Sequence, residues 1–151
     1  MTKRNLSRCL LAAVGLWLLS SEIGLAASVE VTDAWARATM PGQAVAGVYL
    51  HVKSAIKARL VGVKSSSAKT AEIHSMAHEG GVMKMRKLDF LELPAGEVVA
   101  LEPGGNHVML FEIHKPLKAG EHVKLMLVIE QNGKKINVPV DAEVRAVKEE
   151  H

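Results

Sequence analysis

Apolar and polar positions along this chain alternate in short runs, and turn residues separate the runs. The clearest case is Val123 to Glu130, an aliphatic-rich run expected to be a strand. Asn132-Gly133 follows, and then Lys135 to Val140. An Asn-Gly pair favours the type I′ turn that joins two strands tightly, so these segments are expected to form a hairpin. Further strands are expected at Val29 to Arg37, Ala46 to Val52, Arg59 to Val63, Thr70 to Met76, Val82 to Arg86, Val98 to Leu101 and His107 to Ile113. Met40-Pro41-Gly42, Ser65-Ser66-Ser67, Pro94-Ala95-Gly96 and Pro103-Gly104-Gly105 punctuate them. Strands at this spacing imply an all-β sandwich or barrel. Beyond the N-terminal segment no useful helical period, internal repeat or linker is visible.

That N-terminal segment has a different character. Lys3, Arg4 and Arg8 give a positive start, Cys9 to Leu19 is apolar, and Gly24-Leu25-Ala26 is a small-x-small site before Ala27. These are the three parts of a secretory signal peptide. A membrane anchor would need a longer apolar run, about 20 residues. A lipoprotein would need its cysteine at the cleavage site, and Cys9 stands at the start of the apolar run instead. The expected organisation is therefore a signal peptide over 1–26, one β domain over 27–143 and a charged, frayed tail over 144–151. The expected location is the periplasm, with no stable membrane insertion after cleavage.

Composition then narrows the chemistry. The 151 residues suit one domain, and 48% are hydrophobic, enough to build a core. The net charge is +3, and removing 1–26, with Lys3, Arg4 and Arg8 against Glu22, leaves it near +1. Neither nucleic acid nor a charged membrane surface would be selected by so mild a balance. Cleavage also removes Cys9, the one cysteine, so the exported chain has no disulfide and no thiolate.

What remains is a concentration of methionine and histidine. His74-Ser75-Met76 and His107-Val108-Met109 share a His-x-Met form, and Met83-Lys84-Met85 lies between them. On a strand, residues i and i+2 point to one face, so each His-x-Met sets an imidazole beside a thioether. Thioether with imidazole suits soft Cu(I). Zinc prefers thiolate, imidazole and carboxylate, and calcium and magnesium want clustered oxygens.

The spacing from His74 through Met85 and His107 to Met109 reads H-x10-M-x21-H-x-M. In this the chain resembles the periplasmic PCu(A)C-type copper chaperones. The segments Trp35-Ala36-Arg37-Ala38, Gly81 to Arg86, Leu93-Pro94-Ala95-Gly96 and Pro103 to Met109 are also similar to that family, over Val29 to about Val140. The resemblance implies a cupredoxin-like β-sandwich or barrel. It implies a Cu(I) site of His74, Met85, His107 and Met109, with Cu(II) left open beside it. It implies a carrier whose partner is a copper-accepting protein: subunit II of cytochrome c oxidase with its Cu(A) centre, or another copper chaperone. A monomer is expected. Some members bear a His- and Met-rich tail for a second, Cu(II) site. This sequence ends in Lys148-Glu149-Glu150-His151, which does not supply one.

Other residues are expected to be ordinary. Met126 reads as core filling and Met40 as loop packing. Met83 is expected to pack at the core or rim, with a spare ligand as the alternative, and Met76 and His78 to be solvated loop residues, with a place flanking the metal as the alternative. His51, His114 and His122 read as surface histidines with charged neighbours. No enzyme is expected. Blue-copper electron transfer and thiol-disulfide exchange both need a cysteine, and no nucleophile elbow or zinc-protease motif is present. The rival readings are a copper storage or resistance protein, which would hold several ions per chain, and a non-catalytic β-sandwich module whose methionines pack against a protein partner.

Overall fold

The computed structural model describes residues 28–146. The expected signal peptide, Cys9 and His151 lie outside the described residues.

Ten strands follow one another: β1 (Val29–Arg37), β2 (Val45–Ser54), β3 (Ala58–Ser65), β4 (Ala68–Glu79), β5 (Val82–Leu88), β6 (Leu91–Leu93), β7 (Val98–Leu101), β8 (His107–Ile113), β9 (His122–Gln131) and β10 (Lys134–Arg145). They form one hydrogen-bonded path, β5-β4-β8-β2-β1-β10-β9-β3-β6, with β7 paired to the second half of β2. The all-β architecture is the one the sequence implies. Among the described residues no helix is long and apolar enough to cross a membrane.

The alternation explains why the path closes on a single core. In β9, Val123, Leu125, Leu127 and Ile129 are buried, while the residues between them are not. Val140, Ala142 and Val144 of β10 do the same. With Val48, Leu50 and Val52 of β2 and Val108 and Leu110 of β8 they join one apolar cluster. Met126 is not part of it. It falls on the outward phase of β9, opposite Pro139 and Lys64, so the expectation of core filling is corrected by the strand period. Met40 is 72% exposed rather than packed into its loop.

Turn chemistry sets the registers. Asn132 and Gly133 both have positive φ, as a type I′ turn requires, and β9 and β10 pair from Gln131–Lys134 onward. Gly80 and Gly81 do the same for β4 and β5. Three differences from the sequence reading are instructive. β6 was not expected, because three residues beside Pro94 give no period to read. β4 continues to Glu79, so Met76 and His78 are strand residues rather than solvated loop. β10 runs to Arg145, with Val144 only 1% exposed, so the chain is not frayed from 144. There β10 lies parallel to β1, pairing Trp35 with Glu143 and Arg37 with Arg145.

A charged cluster pins the long hairpin from outside. Asp141 faces Lys124 across the β9–β10 ladder, and its carboxylate accepts hydrogen bonds from Lys124 Nζ and His122 Nδ1. The Lys124 bond, helped by that from His122, holds the Asp141 pKa below its ordinary value of 3.8. A depressed carboxylate contributes stability above the unfolded value and loses it as pH falls through the folded one. Acid titration of urea stability is therefore expected to show a loss beginning below about pH 4. Asp141→Asn should flatten that limb of the curve.

Candidate metal centre

Both His-x-Met segments lie on neighbouring strands. β4 and β8 are antiparallel, and their ladder sets His74 directly opposite His107 and Glu72 opposite Met109. On the other side of β4, Met76 faces Met85 and His78 faces Met83. Strand alternation then gathers His74, Met76, Met85, His107 and Met109 on one face of three adjacent strands. A cleft of about 270 Å³ opens there, lined by Met76, Met85, His107 and Met109, with Arg37, Gln43 and Tyr49 among the residues at its wall. His74 lies beside this cleft rather than in its lining. Its ring is 6.0 Å, centroid to centroid, from that of His107 and 5.7 Å from that of Phe111.

The two histidines are held from behind. His107 Nδ1 donates to the Gly105 carbonyl at 2.9 Å, and Met76 N–H donates to the same oxygen at 3.1 Å. The turn Glu102-Pro103-Gly104-Gly105 presents that carbonyl. It closes through Gly105 N–H to Glu102 O, with Gly104 at φ +83°, a conformation suited to glycine. His74 Nε2 donates to Glu72 Oε2 at 2.9 Å. Lys87 Nζ donates to the other carboxylate oxygen at 2.8 Å. The Glu72 pKa is lowered, first by that lysine and then by His74. A carboxylate and a carbonyl can only accept, so each imidazole carries its proton on the outer nitrogen. In the neutral imidazole that leaves the lone pair on the remaining nitrogen, Nδ1 of His74 and Nε2 of His107.

His74 Nδ1 has no partner and is fully buried. An orphaned buried polar atom is costly and uncommon in a folded protein. Metal-ligating histidines typically have this arrangement, with the outer N–H on a carboxylate or carbonyl and the inner nitrogen bare. Two rings with centroids 6.0 Å apart are close enough for one ion to bridge them, since metal–imidazole bonds are about 2 Å. Among the described residues no group of three or more His, Cys, Asp or Glu side chains converges. The cleft adds thioether sulfur to imidazole as its donor chemistry, a combination that suits soft metal ions.

The neighbouring wall is rigid and aromatic. Gly47 pairs with Met109, and a side chain on Gly47 would start 2.6 Å from the Tyr49 hydroxyl. Glycine thus lets the Tyr49 ring lie across the sheet towards His107, 6.4 Å away. Trp35 packs against Tyr49 with the rings tilted by 39° and their centroids 4.5 Å apart. A bulge at Asp33, φ +47°, shifts the β1 register between Thr32 and Trp35 and brings Trp35 opposite Tyr49. His51 and His122 are elsewhere, paired with Glu102 and Asp141, as expected of surface histidines.

A family model described as "Putative lipoprotein LpqE-like" matches residues 29–142. The chain belongs to the LpqE-like family. One relative of this LpqE-like chain, "Putative lipoprotein Lxx21020" of Leifsonia xyli subsp. xyli, is 30% identical over 137 residues, 83% of this chain and 82% of its own length. A protein of Rickettsia prowazekii is 31% identical over 121 residues, 76% and 67% of the two chains. Among solved structures, a copper-bound PCuAC domain from PmoF2 superposes with TM-score 0.63 at 30% identity, covering 81% of this chain and 97% of that one. The Cu(I) form of DR1885 from Deinococcus radiodurans gives 0.60 at 28%, covering 83% and 85%. The LpqE-like chain therefore has the cupredoxin-like β fold of PCuAC domains, and it is a member of that type.

Proposed function

We propose that this protein is a copper carrier of the bacterial periplasm, exported by a signal peptide over 1–26. It binds one Cu(I) through His74 Nδ1, Met85, His107 Nε2 and Met109, and it hands the ion to an acceptor protein, the Cu(A) centre of cytochrome c oxidase being the proposed destination. The observation that carries this reading is the pair of imidazoles fixed by Glu72 and Gly105, His107 in a cleft lined by Met76, Met85 and Met109 and His74 beside it with a buried, unpartnered Nδ1. The copper-bound PCuAC neighbours support the choice of metal.

Carriage rather than catalysis follows from the donor set. Imidazole and thioether are neutral, so the charge of Cu(I) stays uncompensated, and transfer to a thiolate site is downhill. Met85 is 46% exposed, so one donor is open to exchange with a partner's ligand while the buried histidines keep their places. No covalent step or redox change is involved.

The test is an anaerobic Cu(I) competition titration of residues 27–151 against a coloured chelator. One tight equivalent is expected; no competition would overturn the reading. Glu72→Gln removes the anion behind His74 without removing a ligand. It is expected to weaken Cu(I) binding by about 10- to 100-fold, the usual effect of losing such a support. An unchanged affinity would show that His74 is not held for metal by Glu72.

A further inference from the structure

The β4–β5 hairpin continues past the site just described, and its outer end has the same chemistry. Going outward from His74, the face carries Met76 and then His78 on β4, and Met85 and then Met83 on β5. His78 and Met83 are direct cross-strand partners, one step of the alternation beyond the Met76–Met85 pair. Directly opposed residues on one face have Cβ atoms about 5 Å apart, within reach of a shared ion. Successive pairs on that face are separated by two residues, roughly 7 Å.

The opposite face of the same hairpin is sorted differently. Glu79 accepts from Lys84 at 3.1 Å and from Arg86 at 2.8 Å, so the charges are tied to one another there. Packing does not account for the soft pair. His78 is exposed, and Met83 is 42% exposed at the hairpin tip beside Gly80-Gly81. An apolar thioether in water next to an imidazole has no core to fill.

We propose that His78 and Met83 form a second, outer Cu(I) site that captures the ion and passes it inward by way of Met76 and Met85. This rests on the copper reading of the inner site. One imidazole and one thioether hold Cu(I) more weakly than two of each, so the gradient along the hairpin runs towards His107. The ion stays Cu(I) throughout, and each step exchanges one neutral donor for another. A weak site tethered to a strong one raises the local concentration of metal at the inner site and so accelerates loading without altering the final affinity.

The test is stopped-flow uptake of Cu(I) from its bathocuproine disulfonate complex, run beside the equilibrium titration, on wild type, on the double variant His78→Asn/Met83→Leu and on His107→Ala. The double variant is expected to keep the wild-type equilibrium affinity within about twofold while its uptake slows by about tenfold. Uptake at the wild-type rate would overturn the outer site. A parallel fall in equilibrium affinity would overturn it too, by making His78 or Met83 a ligand of the inner ion. If wild type takes no copper, the inner-site reading fails and this one with it. Wild-type uptake that His107→Ala abolishes, with the double variant as fast as wild type, removes the outer site alone.

Discussion

His107→Ala is expected to lower Cu(I) affinity by at least 100-fold, roughly 3 kcal/mol at about 1.4 kcal/mol per decade. Three features place this residue above the other proposed donors. It is buried, 4% exposed, at the floor of the cleft. Its outer nitrogen is committed to Gly105, so the inner lone pair needs no reorganisation to bind. It also stands opposite His74, whose Nδ1 has no other partner. Removing the ring takes away one donor and leaves its counterpart with half a site. Competition titration checks the affinity, and far-ultraviolet circular dichroism of the metal-free variant checks that the sheet is intact. His51→Ala is the matched control: its ring is paired with Glu102 outside the cleft and should bind copper as wild type does. Equal affinities for the two variants would remove His107 from the site.

Leu110→Ala is expected to cost about 3 kcal/mol of folding stability, within the range of 2–5 kcal/mol for truncating a buried leucine. Leu110 is fully buried in β8, on the face opposite His107 and Met109, and pairs with Ala46 and Ala71. Its neighbours there are too small to collapse into the space left behind. Because the core lies behind the strand that carries His107 and Met109, two of the proposed donors, the cavity should also loosen them. Urea unfolding of the metal-free protein measures the first effect. The difference in stability gained on adding Cu(I), variant against wild type, measures the second. A loss under 1 kcal/mol would mean that β8 is not anchored through this residue.

Much of this was legible beforehand, for reasons tied to particular residues. The aliphatic run from Val123 to Ile129 marks β9 as a strand, and Asn132-Gly133 gives the hairpin its register. His74 and His107 are found by their His-x-Met spacing, and the ladder sets them opposite one another. What stayed hidden depends on pairing across the sheet. The support that Lys87 gives to Glu72, the partner of His74, joins residues 15 positions apart on two strands. Tyr49 and Gly47 reach the site from β2, and nothing in their local sequence announces it. Met76 is a different case. Gly80-Gly81 is a two-residue turn, and counting back from it pairs Glu79 with Val82 and so Met76 with Met85. The turn residues thus carry that pairing. The end of β10 is masked in the sequence because Asp141, Glu143 and Arg145 dominate its composition, although Ala142 and Val144 keep the inward phase.

The parallel pairing of Trp35–Arg37 with Glu143–Arg145 has a kinetic meaning. It joins segments more than a hundred residues apart, among the most distant contacts the described chain makes, and contacts of that separation slow folding. The middle of the ladder cannot close until the last strand has arrived. A chain threaded through a membrane from its N-terminus would therefore stay open, and pliable enough to be moved, until nearly all of it had crossed. Only then would β10 slide in beside β1, bury Val144 and lock the sheet.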